Sequence, residues 1–274
     1  MVQKPNATVS QRIEITPYLI KLRVVPKGWE LPDFEAGQYG VLGLPGSAPR
    51  SPLADPEEPP PKDSNKLIRR AYSIASSSVA KEYLEYYVGL VRTGALSPRL
   101  FALRPGDDLY MGDTFKGMFT LAQVPSNLNA VLVATGTGVA PYMSMIRTEL
   151  AKGIRHKFAV IHGACHASDL GYNQELTTLS TLSEAFTYLP ILSHAQDDSR
   201  VWKGHRGFVQ KLWTDGTLAE AWGFHPTPED THVFLCGNPL MIKEMLTVLK
   251  KEGFREHTKD SPGQIHTEQY FVKL

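Results

Sequence analysis

The chain has 274 residues, 42% of them hydrophobic, and 29 basic residues stand against 28 acidic ones for a net charge of +1. That balance excludes bulk nucleic-acid binding as the main task while leaving room for a local basic patch, and two cysteines, Cys165 and Cys236, exclude a disulfide framework and a cluster held by four thiolates. Met1–Pro5 carries no apolar signal core, and no apolar run approaches the ~20 residues that span a bilayer, so a soluble, reducing, cytoplasmic setting is expected for one large domain or two ordinary ones.

From the N-terminus, residues 9–123 are rich in short β-type runs: 13–15, 19–25, 39–44, 83–91 and 108–111. Several alternate or carry β-branched and aromatic residues, and Gly or Pro punctuates them, which predicts an antiparallel barrel. Residues 45–63 are dense in Pro, Ser, Asp and Glu and include Pro59-Pro60-Pro61. They read as a solvated surface loop inserted between two strands. Leu96–Leu103 reads as a short helix with Ser97 as its cap and Pro98 in the first turn.

Pro125-Ser126-Asn127 makes a linker, so the domains are expected at 1–124 and 125–274. Beyond it strands and helices alternate. Strands are expected at 129–134, 157–162, 186–192 and 232–236, and helices at about 141–152, 168–183 and 239–251, with an apolar β-rich tail over 265–272. Continuous apolar strands alternating with helices predict a doubly wound parallel sheet. Gly136-Thr137-Gly138 sits between a buried strand and a helix. Glycines there let the backbone turn sharply and approach a pyrophosphate at a helix N-terminus. The usual third glycine is Pro141, which suits a first helical turn.

Arg70-Ala71-Tyr72-Ser73, then Gly136-Thr137-Gly138-Val139-Ala140-Pro141, then Cys236-Gly237-Asn238-Pro239, then the aromatic pair Tyr270-Phe271 follow in that order. This series resembles the ferredoxin–NADP reductase family, in its bacterial single-chain branch, from about residue 10 to the end. The resemblance implies an N-terminal antiparallel barrel holding FAD and a C-terminal doubly wound domain holding the nicotinamide nucleotide. Arg70 and Ala71 would contact FAD, with the Arg70 fork on the pyrophosphate. Tyr72 would lie against the isoalloxazine ring, and Ser73 would hydrogen-bond near its reactive central nitrogen. Ala95, Leu96 and Ser97 would offer backbone N–H groups to the pyrophosphate, and Thr137 would touch the flavin. Tyr270 would cover the flavin face that the nicotinamide must reach, and Phe271 would stack on the FAD adenine. Cys236, followed by Gly237, would pack beside the carbon that carries hydride, and Glu268 would sit near the nicotinamide. Gly136 and Gly138 would form the nucleotide turn.

The nucleotide itself stays open between NADP(H) and NAD(H). NADP-specific members often place arginines after the second and third strands of this domain, where this chain has Cys165 with His166, and His194. Arg200, Lys203, His205 and Arg206 follow close by, and Lys203 and Arg206 could meet a 2′-phosphate. Asp169 is the nearest candidate for an NAD-type ribose contact. His162-Gly163-Ala164-Cys165-His166 matches no closed zinc site, so no metal is expected. The resemblance implies a monomer that exchanges electrons with a ferredoxin or flavodoxin, since the chain has no iron–sulfur module. Such carriers are usually acidic, which makes Lys66, Arg69, Arg92, Arg99, Lys250, Lys251 and Arg255 candidate docking cations. An NADH-dependent reductase serving an oxygenase or a cytochrome is the alternative.

Overall fold

The first half of the chain folds by alternation. In this computed structural model, which describes residues 4–59, 61, 63–153, 156–195 and 202–269, strands β1 (Ala7–Thr16), β2 (Leu19–Pro26), β3 (Tyr39–Pro45), β4 (Leu67–Ser73) and β5 (Leu84–Gly89) precede a short helix, α1 (Ser97–Ala102), and β6 (Asp108–Met111). They make a six-stranded antiparallel sheet in the order β4-β3-β6-β1-β2-β5. Just past β4, Ile74 bridges Tyr86 of β5, and the Ala75 amide donates to the Glu85 carbonyl. The two outer strands are thereby drawn toward each other, and the sheet is barrel-like around Val9, Ile20, Leu22, Val24, Leu42, Ile74, Leu84 and Val88. Burial of each such side chain contributes about 1.5–3 kcal/mol against the entropy of ordering the chain.

β4 adds a strand that the pattern of the sequence does not suggest. Arg69, Arg70 and Ala71 are all exposed on this outer strand, so it lacks the in–out alternation of a half-buried one. Two further expectations need correction. Ser97 does not cap α1: the cap position is Leu96, without a side-chain bond, and the Ser97 hydroxyl accepts the Val91 amide at 3.0 Å. Arg99 is not a surface docking cation. It is 2% exposed, and its guanidinium binds Glu57 at 2.7 Å, the Ala95 carbonyl at 2.6 Å and the Gly46 carbonyl.

The proline-dense insertion is consequently more than a solvated loop. Arg50 donates to the Gly94 carbonyl at 3.0 Å and the Asp55 carbonyl at 2.9 Å, and the Ser51 amide donates to the Pro98 carbonyl at 2.8 Å. The segment from Gly46 to Glu57 is tied to residues 92–99 by charge-assisted bonds, and Glu57 is held below the usual carboxylate range by its hydrogen bond to Arg99.

The second half alternates strand and helix: β7 (Asn129–Thr135), α2 (Ala140–Lys152), β8 (Phe158–Ala164), α3 (Asn173–Leu182), β9 (Phe186–Leu192), β10 (His205–Arg206), α4 (Val209–Thr214), α5 (Thr217–Trp222), β11 (Thr231–Gly237), α6 (Pro239–Lys251) and β12 (Ile265–Gln269). The sheet is wholly parallel, in the order β10-β9-β8-β7-β11-β12. One face packs Val131, Val133, Ala159, Ile161, Val233 and Leu235 under α4, α5 and α6. The alternate residues Leu132, Val160 and Phe234 are buried as well, so both faces are covered, as a parallel sheet requires.

The chain divides into two compact units, Met1–Thr120 with Ala140–Thr148, and Leu121–Val139 with Glu149–Leu274. The inclusion of α2 residues in the first unit has a chemical basis. Glu85, wholly buried on β5, takes the Arg147 guanidinium at 2.8 Å and the Arg23 guanidinium at 2.8 Å, and Arg147 also donates to the Ala75 carbonyl. Thr148 accepts the Ser78 amide at 2.8 Å. A carboxylate buried without these partners would cost several kcal/mol, so Ala140–Thr148 is fixed within its own unit.

Candidate functional site

In the first unit the Arg-x-Tyr-Ser stretch occupies β4, in register with β3 so that Gly40 faces Tyr72, Tyr39 faces Ser73 and Leu42 faces Arg70. Arg70 is exposed and spends one N–H on the Arg69 carbonyl at 2.7 Å. A guanidinium has five donors, so the rest of the fork can take phosphate oxygens. Tyr72 is half-buried, and its hydroxyl is pushed well above the ordinary phenol range by burial, with the Arg70 charge pulling the other way. It remains a neutral ring with a polar tip at any working pH, suited to lie against a flat heterocycle. Ser73 is buried at the end of the strand. Residues 95–97 lead into α1 with the Ala95 carbonyl fixed by Arg99. An exposed phosphate-type donor, an aromatic surface and a buried hydroxyl in succession on one strand fit FAD.

In the second unit the stretches expected to bind the nucleotide converge at the C-terminal ends of three adjacent strands. Gly136 and Thr137, at the end of β7, are half-buried, and Gly138 is buried. β11 lies between β7 and β12, with Cys236 opposite Ala134 on one side and Glu268 on the other. Cys236 is fully buried, and Glu268 is half-buried beside it. Strand ends of a parallel sheet are where such folds bind nucleotides. Among the described residues no group of His, Cys, Asp and Glu could hold a metal ion.

Two of the glycines are also required by close packing. A Cβ on Gly138 would lie 2.2 Å from the Cys236 carbonyl oxygen, so this glycine serves close packing of the turn on β11. A Cβ on Gly237, at φ +135°, would lie 2.3 Å from the Thr135 hydroxyl oxygen, which itself accepts the Asn238 amide at 2.8 Å. The turn and the end of β11 therefore behave as one rigid piece. Asn238 then caps α6 through the Leu240 amide.

His162 supports the turn from below and is legible in the sequence only as a buried strand residue. Its Nε2 lies 3.3 Å from the Gly136 carbonyl oxygen and its Nδ1 3.4 Å from the Tyr188 hydroxyl. With the proton on Nε2, the ring donates to Gly136 and accepts from Tyr188. A histidine closing an apolar run is the available signal, because a buried imidazole needs partners. Burial lowers its pKa from 6.5 to about 4. Between those values the unfolded chain takes up a proton that the folded chain refuses, so stability present above pH 6.5 is lost as pH falls toward 4. His266 adds to the same acid arm, being lowered to about 3 by burial and then by His232 and His257. Chemical denaturation at pH 7 and pH 4.5 should therefore show a smaller acid loss for His162→Gln than for the wild type, by on the order of 2 kcal/mol. Equal losses would contradict a neutral, buried His162.

Of the other expected residues, His194 follows β9 and is exposed, its ring 5.9 Å from that of His166. Lys203, just before β10, and Arg206 within it are exposed, with Arg206 paired in register to Leu192. Asp169, the NAD-type candidate, is engaged elsewhere: its carboxylate accepts the His166 amide at 3.2 Å in a reciprocal cap of the following turn. Tyr270, Phe271 and Arg200 lie outside the described residues. Of the docking candidates, Lys66, Arg69, Arg92, Lys250, Lys251 and Arg255 are exposed, with Arg92 paired to Asp55 and Lys250 to Glu256.

Residues 132–246 match the family model for the oxidoreductase NAD-binding domain. The chain is 31% identical to a flavodoxin/ferredoxin–NADP reductase of Buchnera aphidicola subsp. Schizaphis graminum, over 88% of this chain and 90% of that one. It is 33% identical to ferredoxin–NADP reductase B of Sorangium cellulosum, over 86% and 85% of the two chains. The chain belongs to the ferredoxin–NADP reductase family. A solved member, the ferredoxin NADP+ reductase of Neisseria gonorrhoeae with bound FAD and NADP, superposes with a TM-score of 0.80 at 26% identity, covering 97% of this chain and 98% of that one. Both sheets thus have counterparts along nearly the whole length of a ferredoxin–NADP reductase.

Proposed function

We propose that this member of the family is a flavoprotein that passes electrons between NADP(H) and a one-electron carrier protein, ferredoxin or flavodoxin, through FAD. The observation that carries the reading is the alignment of the Gly136–Gly138 turn, Cys236–Gly237 and Glu268 on adjacent parallel strand ends, in a chain that also presents Arg70–Ser73 on a sheet edge. Residues 1–124 take the FAD role and residues 125–274 the nucleotide role. Bound FAD supplies an acceptor for a hydride that can release electrons singly.

The residues of the chain bind and orient. Arg70 clamps the pyrophosphate of FAD, with the amides of Ala95, Leu96 and Ser97. Tyr72 lies along the ring, and Ser73 hydrogen-bonds to it. Gly136 exposes backbone to the nucleotide. Cys236 is a small, inert group that sets the position of the nicotinamide carbon, because its thiol is fully buried and behaves as an apolar side chain. Glu268, in register beside Cys236, lies near the nicotinamide. Tyr270 and Phe271 are assigned the flavin face and the adenine by resemblance alone. Hydride transfer needs placement and little acid–base chemistry. No helix among the described residues is long and apolar enough to cross a membrane, and the enzyme is assigned to the cytoplasm as a monomer.

The carrier is the acidic partner in this reading, so removing cations should separate two activities. Replacing Lys66 and Arg69 together with Ala is expected to slow electron transfer to ferredoxin or flavodoxin several-fold at low salt and to leave NADPH-to-dye activity unchanged. Equal loss of both would argue against this face.

A further inference from the structure

The segment that leads into α1 is held through its carbonyl groups. Arg50 donates to the Gly94 carbonyl at 3.0 Å, and Arg99 donates to the Ala95 carbonyl at 2.6 Å. The Leu96 carbonyl takes the Arg99 amide at 2.9 Å and the Leu100 amide at 3.0 Å. A trans peptide is planar, with its N–H directed away from its C=O. Fixing these three carbonyls therefore fixes the direction of the next three amides, those of Ala95, Leu96 and Ser97. None of the three donates to an acceptor among the described residues, although Leu96 and Ser97 are buried. Buried backbone donors are nearly always paired, so a run of amides held in direction but left unspent points to an acceptor from outside the chain.

Both arginines that hold the segment are braced by one carboxylate. Glu57 takes the Arg99 guanidinium at 2.7 Å through Oε2 and at 3.1 Å through Oε1, and its Oε1 lies 3.5 Å from Arg50. Arg99 is buried, so its placement depends on this partner. Glu57 comes from the proline-dense insertion, which has its own ties to the segment: the Ser51 amide donates to the Pro98 carbonyl, and the Asp55 amide to the Arg92 carbonyl at 3.1 Å. The Asp55 carboxylate pairs with the exposed Arg92 rather than with Arg50 or Arg99.

We propose that Glu57 is a positioning residue for FAD: by bracing Arg50 and Arg99 it holds the Ala95, Leu96 and Ser97 amides in the direction that grips the pyrophosphate, so that the time FAD stays bound is set from the insertion. This rests on the reading that the first unit holds FAD. Without the carboxylate, two neighbouring guanidiniums would repel each other and turn toward water. The Gly94 and Ala95 peptides would then be free to rotate. Their amides would have to be ordered anew each time the cofactor bound, a cost that shows as weaker and shorter binding.

The test follows FAD release from the FAD-loaded protein after dilution, by the fluorescence of the freed cofactor, with far-ultraviolet circular dichroism recorded in parallel. Glu57→Ala should release FAD on the order of tenfold faster than the wild type while the ellipticity holds. Glu57→Gln keeps an acceptor for Arg99 and loses the charge, so its rate should fall between the two. Asp55→Ala, a change on the same insertion, should release FAD at the wild-type rate, because an exposed pair contributes little. With FAD in excess, the KM of Glu57→Ala for NADPH should match that of the wild type, since the residues assigned to the nucleotide belong to the other unit. Wild-type release from both Glu57 variants, release that tracks a loss of ellipticity, equally fast release from Asp55→Ala, or a KM raised along with the release rate would overturn the proposal and leave the FAD reading standing. If Glu57→Ala does not fold, Glu57→Gln decides on the same signals. A wild type that neither carries nor binds FAD would overturn that reading and this proposal with it.

Discussion

Gly138→Ala is expected to lower kcat/KM for NADPH about a hundredfold while the purified protein stays yellow. The added methyl would sit 2.2 Å from the Cys236 carbonyl oxygen, 2.6 Å from its carbon and 2.9 Å from the Gly237 nitrogen. All three are backbone atoms, so no rotamer can relieve the clash, and the turn must move off β11. A misplacement of about 1 Å in a positioning element costs on the order of a hundredfold in rate, and the overpacking itself costs about 1–3 kcal/mol of stability. Flavin content should hold, because Arg70–Ser73 belong to the other unit. Steady-state kinetics with a dye acceptor, beside the flavin-to-protein absorbance ratio, checks both halves. Activity within twofold of the wild type would show that the turn has no part in nucleotide binding.

Arg70→Ala should produce the opposite split. The side chain is exposed and its one described bond is to the neighbouring carbonyl, so the fold should lose no more than about 0.5 kcal/mol. If its fork holds a pyrophosphate, two charge-assisted bonds of about 1.5–3 kcal/mol each disappear. FAD affinity should then fall a hundredfold or more, and the protein should emerge largely colourless with an unchanged far-ultraviolet spectrum. Arg70→Lys should recover only part, because an ammonium lacks the planar fork. Flavin fluorescence on titrating the stripped protein gives the affinity directly. Full flavin occupancy in Arg70→Ala would remove Arg70 from the site.

Where a residue's burial follows from its own segment, the fold is readable from the chain. Phe186–Leu192 and Pro239–Lys251 lie where their patterns place them, one as a continuous apolar run and the other as an amphipathic helix opened by Asn238 and Pro239. Elements that depend on distant partners are not readable in this way. α4 and α5 have six residues each, and their Leu212, Trp213, Leu218 and Trp222 make sense only against the sheet face they cover. Arg99 looks like a surface charge until Glu57, 42 residues away, is folded over it. The site shows the same division. Arg70–Ser73 and Cys236–Gly237 stand out as motifs, whereas His162 acquires its part from Gly136 and Tyr188, both 26 residues away. Gly138 is visible as a glycine in a turn, but the carbonyl that demands it comes from β11.

Anaerobic stopped-flow mixing of the purified protein with NADPH, followed by oxidised ferredoxin or flavodoxin, reaches the whole proposal at once. The visible absorbance of protein-bound flavin should bleach on the first addition and return on the second. Protein that carries no flavin after purification and binds none when FAD is supplied, or flavin absorbance that neither NADPH nor NADH alters, would contradict it.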